Sequence, residues 1–495
     1  MKRPFLFTGV IALILSSLAL LLKKEVIIAA IFTVITLFLL YLKFKKKTKG
    51  NTNIPICIIT ILLVTISCLY TLNYVYSPIK NLLQEEANIT ATVVREPYQS
   101  GDYSYYTLNG NTENSSRNFS FEFVSDNLGI NMGDRVNLRV RFTELKNPYR
   151  ASMISEGIYI NANVIEIHSV TEDYSPLYTA IRNLRLYIKT VIGRVADGDA
   201  SGVMLALLSG NRSLMSDEIY SATKTCGVTH ILVVSGLHLG ILCGASAAFI
   251  NKLKFGQKIG LFISFLLICL IICVCEFHTS AIRAAITTII TLLGHLGSRK
   301  ADPLNSLGIA VTVMVLFNPF VAGNAAFLLS VFSTFGVVFL SSKLMLLCKP
   351  LRFSGKLGVI VNMGIDVFLI SVSALIAVFP ILVYYFGYIS LLSPIVGVFI
   401  NSAVTIYLIL STVGVFLSAI PLASVISPVL LIASKLITKY IIFIINIFAH
   451  FGDALILQLG KNSYIVCFIL SALTIIFITI LYNKKMKERS KSNAT

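Results

Sequence analysis

The sequence has 495 residues, of which 56% are hydrophobic and only 13% are charged, and its mean hydropathy is +0.82. An ordinary globular protein has about 25% charged residues, so this composition excludes a water-soluble chain of this length. The net charge of +18 does not by itself indicate a nucleic-acid partner, because cytoplasmic loops of membrane proteins collect Lys and Arg. Neither a metal-ligand spacing nor an ATP-binding glycine loop occurs, so we expect no metal, no cofactor and no enzyme activity.

The N-terminal region contains three apolar runs, at residues 5–22, 26–42 and 54–74. A membrane-spanning helix needs about 20 mostly apolar residues, so residues 1–81 are predicted to form a membrane region with three spans. The basic run KFKKKTK (43–49) is predicted to lie in the cytoplasm, and the third span then leads to the outside.

Residues 82–170 have no apolar run long enough to span a membrane. They alternate instead between apolar and polar residues, in ITATVV (89–94), FSFEFV (119–124), RVNLRVRF (135–142) and IYINANVIEI (158–167). Alternation of this kind predicts β-strands, and NMGDRV (131–136) is typical of a turn into a strand. The segment is therefore predicted to form a five-stranded, extracytoplasmic β-barrel of the OB type.

This β domain contains residues of the types that contact single-stranded DNA, which binds to cationic grooves and aromatic stacking platforms. The candidate contacts are Arg135, Arg139, Arg141, Arg150, Tyr105 and Tyr106. The domain holds seven basic and eleven acidic residues, so its overall charge does not attract phosphate, and any contact depends on a local patch. An alternative is that the phenylalanines of FSFEFV fill the barrel core and the tyrosines merely cover it.

Residues 171–210 are predicted to be an amphipathic, interfacial linker. Apolar residues recur at helical spacing over residues 175–195, with Arg182, Arg185, Lys189 and Arg194 among them. This pattern predicts a basic amphipathic helix, which lies either on the membrane surface or on the barrel domain.

Nine further apolar runs follow. They lie at residues 228–250, 260–275, 280–296, 304–317, 325–347, 359–386, 391–420, 424–448 and 464–482. We therefore predict an α-helical polytopic membrane protein with about 11–13 spans and a membrane core over residues 211–483. The bias of Lys and Arg places the basic tail, residues 484–495, in the cytoplasm.

One apolar run, THILVVSGLHLGILCG (229–244), contains four residues that are unusual in a membrane helix: His230, Ser235, Gly236 and His238. Polar groups inside lipid cost about 2–4 kcal/mol, so they are expected to face a protein interior or a water-filled path. The alternative is a tightly packed helix whose hydroxyl group bonds to backbone.

A second polar cluster is EFHTSAIRAAITT (276–288). Glu276 and Arg283 are seven residues apart, nearly two helical turns, a spacing that would allow them to share a helix face without direct contact. Arg283 either extends to the lipid headgroups or offers a cation to a passing phosphate.

Several motifs, in this order along the chain, resemble the ComEC family of bacterial DNA-uptake channels. They are KNPYRASMISEGIYINANV (146–164), ALLSGNRS (206–213), TCGVTHILVVSGLHLG (225–240), SAIRAAI (280–286), ADPLNSLGIAV (301–311), and NPF followed by AFLLS (318–330). The resemblance covers nearly the whole chain. It implies a channel that imports single-stranded DNA across the bacterial cytoplasmic membrane during natural transformation. It also implies a transport path along His230, Ser235, Gly236, His238, Glu276, Arg283 and Ser330.

The sequence departs from the family pattern in two places. Leu328 stands where the family has a polar Gln in its AFQLS motif. Many members carry a C-terminal metallo-β-lactamase-type domain, whereas this chain has no HxHxDH-type cluster and is interpreted as a short form without it. The resemblance then implies partners: a DNA receptor, a cytoplasmic motor and a separate nuclease.

Two other function classes stay open. An intramembrane hydrolase would use Ser235 as nucleophile with His238 or His230 as base, although no third member of a triad is evident. A secondary transporter for a small solute would use Glu276, Arg283 and Asp366 as gating residues.

Overall fold

The computed structural model describes residues 3–20, 53–100, 103–112, 118–145, 150–231, 236–252, 257–296, 302–423, 425–452 and 455–492. The predicted span at 26–42, the basic run KFKKKTK and Ser235 lie outside these residues. The chain folds into two compact units. The first contains Met1–Tyr187, Glu276–Thr279 and Ile286–Phe327, and the second contains Ile188–Cys275, Ser280–Ala285 and Leu328–Thr495.

Six strands of the first unit form one sheet. They are β1 (Glu86–Val93), β2 (Tyr98–Ser100), β3 (Tyr103–Thr112), β4 (Phe119–Ser125), β5 (Arg135–Thr143) and β6 (Ile158–Thr171). The sheet order is β1-β5-β6-β4-β3-β2, and β1 also pairs with β3, so five strands close into a barrel while β2 extends its edge. The β4–β6 pairing is parallel and the other pairings are antiparallel. This closed five-stranded barrel confirms the predicted OB-type domain.

Alternation of buried and exposed residues along the strands builds the barrel core. On β5 every second side chain is buried, from Val136 to Phe142, and the residues between them face outward. The rings of Phe121, Phe123 and Phe142 are almost completely buried, which confirms that phenylalanines fill the core. Burial of such side chains contributes about 1.5–3 kcal/mol each, so the core rather than the surface holds the barrel together.

Four of the barrel strands, β1, β4, β5 and β6, lie where the sequence alternation predicts them. The predicted turn at Asn131–Asp134 is also present, and its Gly133 has a φ of +99°. The strands β2 and β3 are not predicted, because Tyr, Ser, Asn and Gly dominate their sequence and obscure the alternation.

Sixteen helices are defined in the described residues. They are α1 (Pro4–Ala19), α2 (Asn53–Thr71), α3 (Ser77–Lys80), α4 (Arg150–Ser155), α5 (Pro176–Gly193), α6 (Gly198–Ser209), α7 (Asp217–Thr225), α8 (Gly236–Lys252), α9 (Gln257–Val274), α10 (Thr279–Leu296), α11 (Pro303–Phe317), α12 (Ala325–Leu347), α13 (Lys356–Phe386), α14 (Ser393–Ser418), α15 (Ser427–His450) and α16 (Tyr464–Ser492). A π-helical segment, Leu72–Tyr76, joins α2 to α3, and two short strands, β7 (Tyr388–Ser390) and β8 (Ile456–Gln458), pair in the second unit.

Six helical segments in the described part of the chain are long and apolar enough to cross a membrane. They are Ile56–Lys80, Ala325–Leu347, Lys356–Phe386, Ser393–Ser418, Ser427–His450 and Tyr464–Met486. Five shorter apolar helices accompany them: Pro4–Ala19, Gly198–Ser209, Ile259–Val274, Thr279–Leu292 and Pro303–Phe317. Each predicted span that falls on described residues corresponds to a helix, which confirms the helical polytopic fold class.

Two segments differ from the prediction. The predicted span at residues 228–250 begins with a 3₁₀ turn, Thr229–Ile231, and among its later described residues the α-helix α8 comprises Gly236–Lys252. The helix α6 is a further apolar, almost fully buried helix within residues 171–210, which the sequence assigns to a linker.

The basic helix α5 is held to the barrel by its arginines. Arg182 forms ion pairs with Asp173 and, at 3.6 Å, with Asp134 of the turn before β5. It also donates a hydrogen bond of 3.4 Å to the carbonyl of Met132. These contacts favour the barrel-packed alternative for this part of α5 over a helix that lies free on the membrane.

In the first unit, α1 and α11 pack closely through glycines. A Cβ atom at Gly308 would lie 1.9 Å from the Phe5 carbonyl oxygen, and one at Gly9 would lie 2.6 Å from the Gly308 Cα. Further along α1, the Ser16 hydroxyl donates to the Pro319 carbonyl at 2.6 Å. Small residues that let helix backbones approach in this way are typical of membrane helix interfaces.

We therefore predict that Gly308→Ala destabilises the protein by about 1–3 kcal/mol, because the new methyl group forces two backbones apart. The measurement is thermal unfolding in detergent, followed by labelling of the nine cysteines with a thiol-reactive dye. Gly364→Ala is the matched control, since its Cβ would meet Val398 Cγ1 at an ordinary 3.6 Å. Equal unfolding temperatures for the two variants would contradict the close packing.

Candidate functional site

The signature motif TCGVTHILVVSGLHLG begins at the end of α7 with a glycine-dependent turn. Gly227 has a φ of +68°, a conformation that glycine adopts without the strain that a side chain brings. The Gly227 amide donates to the Lys224 carbonyl at 2.9 Å, and the Val228 amide donates to the Thr223 carbonyl at 3.0 Å. This pair of bonds is a Schellman cap, which satisfies the last carbonyl groups of the helix. The chain can therefore leave the helix without exposing unbonded backbone.

The turn is clamped by other parts of the second unit. The Ser390 hydroxyl on β7 donates to the Thr225 carbonyl at 2.6 Å. A Cβ atom at Gly227 would lie 2.8 Å from the Ser390 Cβ, and one at Gly452 would lie 2.3 Å from the Thr225 Cγ2. Glycine is therefore required on both sides of the contact, and the turn has a defined place against β7.

The two histidines of the motif lie in different surroundings. His230 is exposed and forms a hydrogen bond with the backbone of Gly227. His238 lies in α8 and is only 2% exposed, and the two imidazoles are close enough to interact electrostatically. Gly236 is the first residue of α8, whereas Ser235 lies outside the described residues, so its contact with either histidine stays a prediction.

Arg283 occupies a buried position in the second unit. Its side chain lies on α10 and the residue is 4% exposed, and Ala281, Ala284 and Ala285 beside it are also buried. An arginine in these surroundings does not extend to a membrane surface, so the structure does not favour the headgroup alternative. Ser330 is half-buried on α12, where its carbonyl accepts hydrogen bonds from the Thr334 and Ser333 hydroxyls at 2.8 and 3.1 Å.

Glu276 belongs to the first unit and not to a helix. Its φ is +49°, and α10 begins three residues later, so the expectation that Glu276 and Arg283 share a helix face is wrong. The Glu276 carboxylate lies 3.3 Å from the Nε atom of Arg185 and accepts a 3.4 Å hydrogen bond from the Glu96 amide. Arg185 also pairs with the Glu96 carboxylate at 2.6 Å. The left-handed turn thus directs Glu276 toward α5 and the barrel.

Further carboxyl groups surround this cluster within the first unit. Arg95 pairs with Glu156, and the Asn324 side-chain amide donates to Glu156 at 3.4 Å. The Tyr98 hydroxyl donates to the buried Glu122 carboxylate at 3.3 Å. Burial raises the pKa of Glu122, and hydrogen bonding from Tyr98 and the charge of Arg95 only partly offset that effect. Burial likewise raises the pKa of Glu276, against the opposing charge of Arg185.

The candidate arginines of the barrel are already engaged by other side chains. Arg139 and Arg141 project from the same face of β5 and both pair with Glu86. Arg135, on the same strand, lies over the Tyr174 ring with 4.4 Å between its guanidinium carbon and the ring centroid. Arg150 lies on α4, where it contacts Glu144 at 3.3 Å and the Tyr76 hydroxyl at 3.0 Å.

The tyrosines of the barrel divide into a surface group and a core residue. Tyr105 stacks on Tyr98 with 4.7 Å between ring centroids, and Tyr98 and Tyr103 are more than half exposed. Tyr106 is 1% exposed, stacks on Phe123, and accepts a hydrogen bond from the Leu128 amide. The expectation that Tyr106 contacts DNA is therefore abandoned, because its side chain points into the core.

Two features of the site are not predicted from the sequence. The contacts of Arg185 with Glu96 and Glu276 join residues 89 and 91 positions apart, which no local pattern reveals. Three residues around the ALLSGNRS motif also form a cluster, in which Arg212 and Lys224 both contact the Tyr220 ring.

No group of three or more His, Cys, Asp or Glu side chains in the described ranges is arranged to hold a metal ion.

The raised pKa of Glu122 predicts a pH dependence of stability. A carboxyl group whose pKa is higher in the folded than in the unfolded state binds more protons when folded, so stability falls as the pH rises between those two pKa values. We expect Glu122→Gln to unfold at a higher temperature than the wild type at pH 8, with the difference shrinking toward pH 4. Thermal unfolding across that range measures it, with the exposed Glu166→Gln as control. A pH-independent difference would contradict the assignment.

Comparison with known proteins places the second unit and its signature turn in context. The model of the competence protein family matches residues 207–485. ComE operon protein 3 of Bacillus subtilis is 26% identical over 246 residues, which are 50% of this chain and 30% of that protein. The "Uncharacterized protein MG316" of Mycoplasma genitalium is 24% identical over 200 residues, which are 39% of this chain and 52% of that protein.

The chain thus matches about a third to a half of the length of these curated relatives. No solved structure matches it. The family match spans more than half of the sequence, from α6 to the basic end of α16, and contains the clamped turn and its two histidines. The chain is a multi-pass membrane protein, and it belongs to the competence protein family.

Proposed function

We propose that this protein is a membrane channel that imports single-stranded DNA across the bacterial cytoplasmic membrane during natural transformation. The observation that carries the proposal lies within the family-matched region, where the Gly227 turn leads into the 3₁₀ turn Thr229–Ile231 and His230 is exposed while Val228 and Ile231 are buried. Non-helical backbone at membrane depth is tolerated where it is buried in protein or lines a water-filled cavity. A polar side chain that protein leaves uncovered is costly in lipid, so the exposed imidazole supports a hydrated path.

The proposed path continues from this turn along the start of α8. It includes Ser235, Gly236 and His238. Gly240 and Gly244 follow on α8 and are exposed, and no atom of the described residues lies within 4 Å of a Cβ placed at either. Small residues of this kind leave room for a substrate beside the helix backbone.

Arg283 supplies a charge to the proposed path. A guanidinium group binds phosphate through two parallel hydrogen bonds, and removal of water strengthens such contacts. Ser330 and Glu276 stay in the proposal as family-motif residues. For Glu276 we propose an indirect role, since its carboxylate is engaged by Arg185 and the Glu96 amide.

In the barrel we propose that a strand stacks on the exposed Tyr98 and Tyr103 and the half-buried Tyr105, with the outward arginines of β5 as further candidate contacts. Stacking of one base on an aromatic ring contributes about 1–3 kcal/mol and tolerates any sequence. Arg139 and Arg141 would have to exchange their contact with Glu86 for a contact with phosphate. The aromatic rings are therefore the stronger part of this surface.

The proposed orientation has the barrel outside and the C-terminus in the cytoplasm, from the distribution of Lys and Arg. The proposed partners are single-stranded DNA, a DNA receptor, a cytoplasmic motor and a separate nuclease. We propose no enzyme activity for this chain.

The structure favours neither of the other function classes. For a small-solute transporter, Glu276 and Asp366 would have to be gating charges, but each is engaged by an arginine: Glu276 by Arg185 and Asp366 by Arg352. For a hydrolase, a base near Ser235 and an orienting group are required, and Ser235 lies outside the described residues.

The test is import in a transformable bacterium whose own homologue is deleted and replaced by this protein. We expect the deletion to abolish entry of labelled DNA into the cytoplasm while leaving surface binding intact. Arg283→Gln should then lower transformation at least tenfold (~1.4 kcal/mol), because phosphate loses its buried cation, whereas Arg283→Lys should retain part of it.

Arg352→Gln is the control, because it also removes one positive charge. Its partly exposed ion pair with Asp366 contributes about 1 kcal/mol or less to the stability of the fold, so the variant is expected to fold. The amount of each variant in the membrane is measured alongside. Normal transformation in the deletion strain would overturn the channel proposal. Normal transformation by Arg283→Gln would remove Arg283 from the path.

A further inference from the structure

We propose that Arg212, Tyr220 and Lys224 form a contact site for a DNA strand next to the signature turn. The inference rests on the proposed function and adds a site outside the residues that the family motifs suggest for the path. We refer to these three residues as the α7 cluster. Its ligand class is a single-stranded nucleic acid, bound through a base and the adjoining phosphates.

The geometry centres on one aromatic ring. The Lys224 ammonium nitrogen lies 4.2 Å from the centroid of the Tyr220 ring, and the Arg212 guanidinium carbon lies 5.5 Å from it. An Arg212 nitrogen also lies within 3.5 Å of the Tyr220 hydroxyl oxygen. Both cations are within the distance of about 6 Å at which a ring attracts positive charge. Lys224 follows Tyr220 by four residues, so helix geometry explains that contact, whereas Arg212 comes from the loop before α7.

The charge of the α7 cluster is not neutralised by acidic groups of the described chain. Most described arginines that contact another side chain contact a carboxylate; Arg352, for example, pairs with Asp366. No carboxylate among the described residues lies within ion-pair distance of Arg212 or Lys224. Two cations held at one ring repel each other, so an anion between them is stabilised.

The nearest acidic residues on α7 have another role. Asp217 and Glu218 occupy its first turn, where negative charge is favourable for the helix dipole. Ser216 caps that end, and its hydroxyl accepts a hydrogen bond from the Ile219 amide at 3.3 Å. Asp217 is seven residues before Lys224, about 10.5 Å along the helix axis, so the acidic and basic ends are separate.

The α7 cluster adjoins the clamped turn directly. Lys224 is the residue before Thr225, whose carbonyl accepts from Ser390 on β7. The first residue of the same strand, Tyr388, is close enough to Tyr220 to interact electrostatically. His230 follows Lys224 by six residues, which limits their separation to about 20 Å. A strand that contacts the cluster therefore lies within a short distance of the exposed imidazole.

The chemistry and the exposure match a nucleic-acid strand. Lys224 is exposed and the Tyr220 ring is half-buried, so both can be reached from outside the protein. A base stacks on the ring when Lys224 moves from it to a phosphate. Single strands bind where aromatic rings stack on bases and cations contact the backbone. Tyr and Lys also occur at membrane interfaces, where they contact lipid headgroups, and that alternative is an outcome of the test below.

The experiment uses the full chain in lipid nanodiscs and a 20-nucleotide oligothymidylate. We expect Tyr220→Leu to weaken binding about tenfold, because the stacking surface is lost, and Tyr220→Phe to bind like the wild type. In a plot of log binding constant against log salt concentration, Lys224→Gln should reduce the steepness of the slope by about 0.7, because one phosphate contact is lost. The double variant with Arg212→Gln should reduce it by about 1.4, because two contacts are lost. An oligonucleotide with photoreactive 5-iododeoxyuridine should cross-link to Tyr220.

Lys356→Gln is the matched control, because it removes the charge of an exposed lysine far from the α7 cluster. Lys356 is the first residue of α13, whereas β7, which adjoins the cluster, follows the opposite end of that helix. Wild-type affinity and salt dependence in Tyr220→Leu and both glutamine variants would overturn the α7 cluster while leaving strand import intact. Loss of binding to anionic vesicles without any change in oligonucleotide binding would assign the cluster to lipid, and also overturn it. A wild-type protein that binds no oligonucleotide and imports no strand would overturn the proposed function, and this inference with it.

Discussion

The contact between the signature turn and the strand β7 is the constraint on which the second unit depends. Buried backbone groups require hydrogen-bond partners, so the turn after α7 requires internal partners. Here the Schellman cap at Gly227 satisfies carbonyl groups at the end of α7, and the Ser390 hydroxyl donates a hydrogen bond to the Thr225 carbonyl. Side chains larger than hydrogen at Gly227 or Gly452 would separate these elements. The glycines therefore permit the break, and the break exposes His230.

The two units hold their positive charges in different ways. In the first unit, the barrel and α5 place Arg95, Arg139, Arg141, Arg182 and Arg185 in contact with glutamates or aspartates. The pairs of Arg182 and Arg185 fix the helix to the barrel, and all five pairs compensate the charge that phosphate requires. In the second unit, Arg352 likewise pairs with Asp366, whereas Arg283 is buried on α10, and Arg212 and Lys224 contact the Tyr220 ring. The proposed attraction for DNA therefore belongs to the competence core, with aromatic stacking as the contribution of the barrel.

Elements with a strong local pattern are predictable from the sequence, whereas the missed features depend on distant contacts. The alternation in RVNLRVRF predicts β5 because one face of that strand is buried and the other is exposed. The tyrosine-rich β3 is missed because Tyr106 is a core residue while Tyr105 and Tyr103 are surface residues, and sequence alone cannot distinguish them. The expected helix face shared by Glu276 and Arg283 fails because Glu276 adopts a left-handed backbone that directs it to Arg185, a residue far away in sequence. The motif that contains His230 and His238 stands out in the sequence, but its division into a 3₁₀ turn and a later helix is not predictable from hydropathy.

The central claim is that water reaches the turn before α8, so that a polyanion can pass. The most direct measurement is the reaction of His230→Cys, in a chain whose nine native cysteines are replaced, with a membrane-impermeant cationic thiol reagent. The account predicts rapid labelling that a single-stranded oligonucleotide slows, whereas Tyr407→Cys, at a fully buried position, stays unlabelled. If His230→Cys is as unreactive as Tyr407→Cys in the folded protein, the turn is sealed from water and the channel account is contradicted.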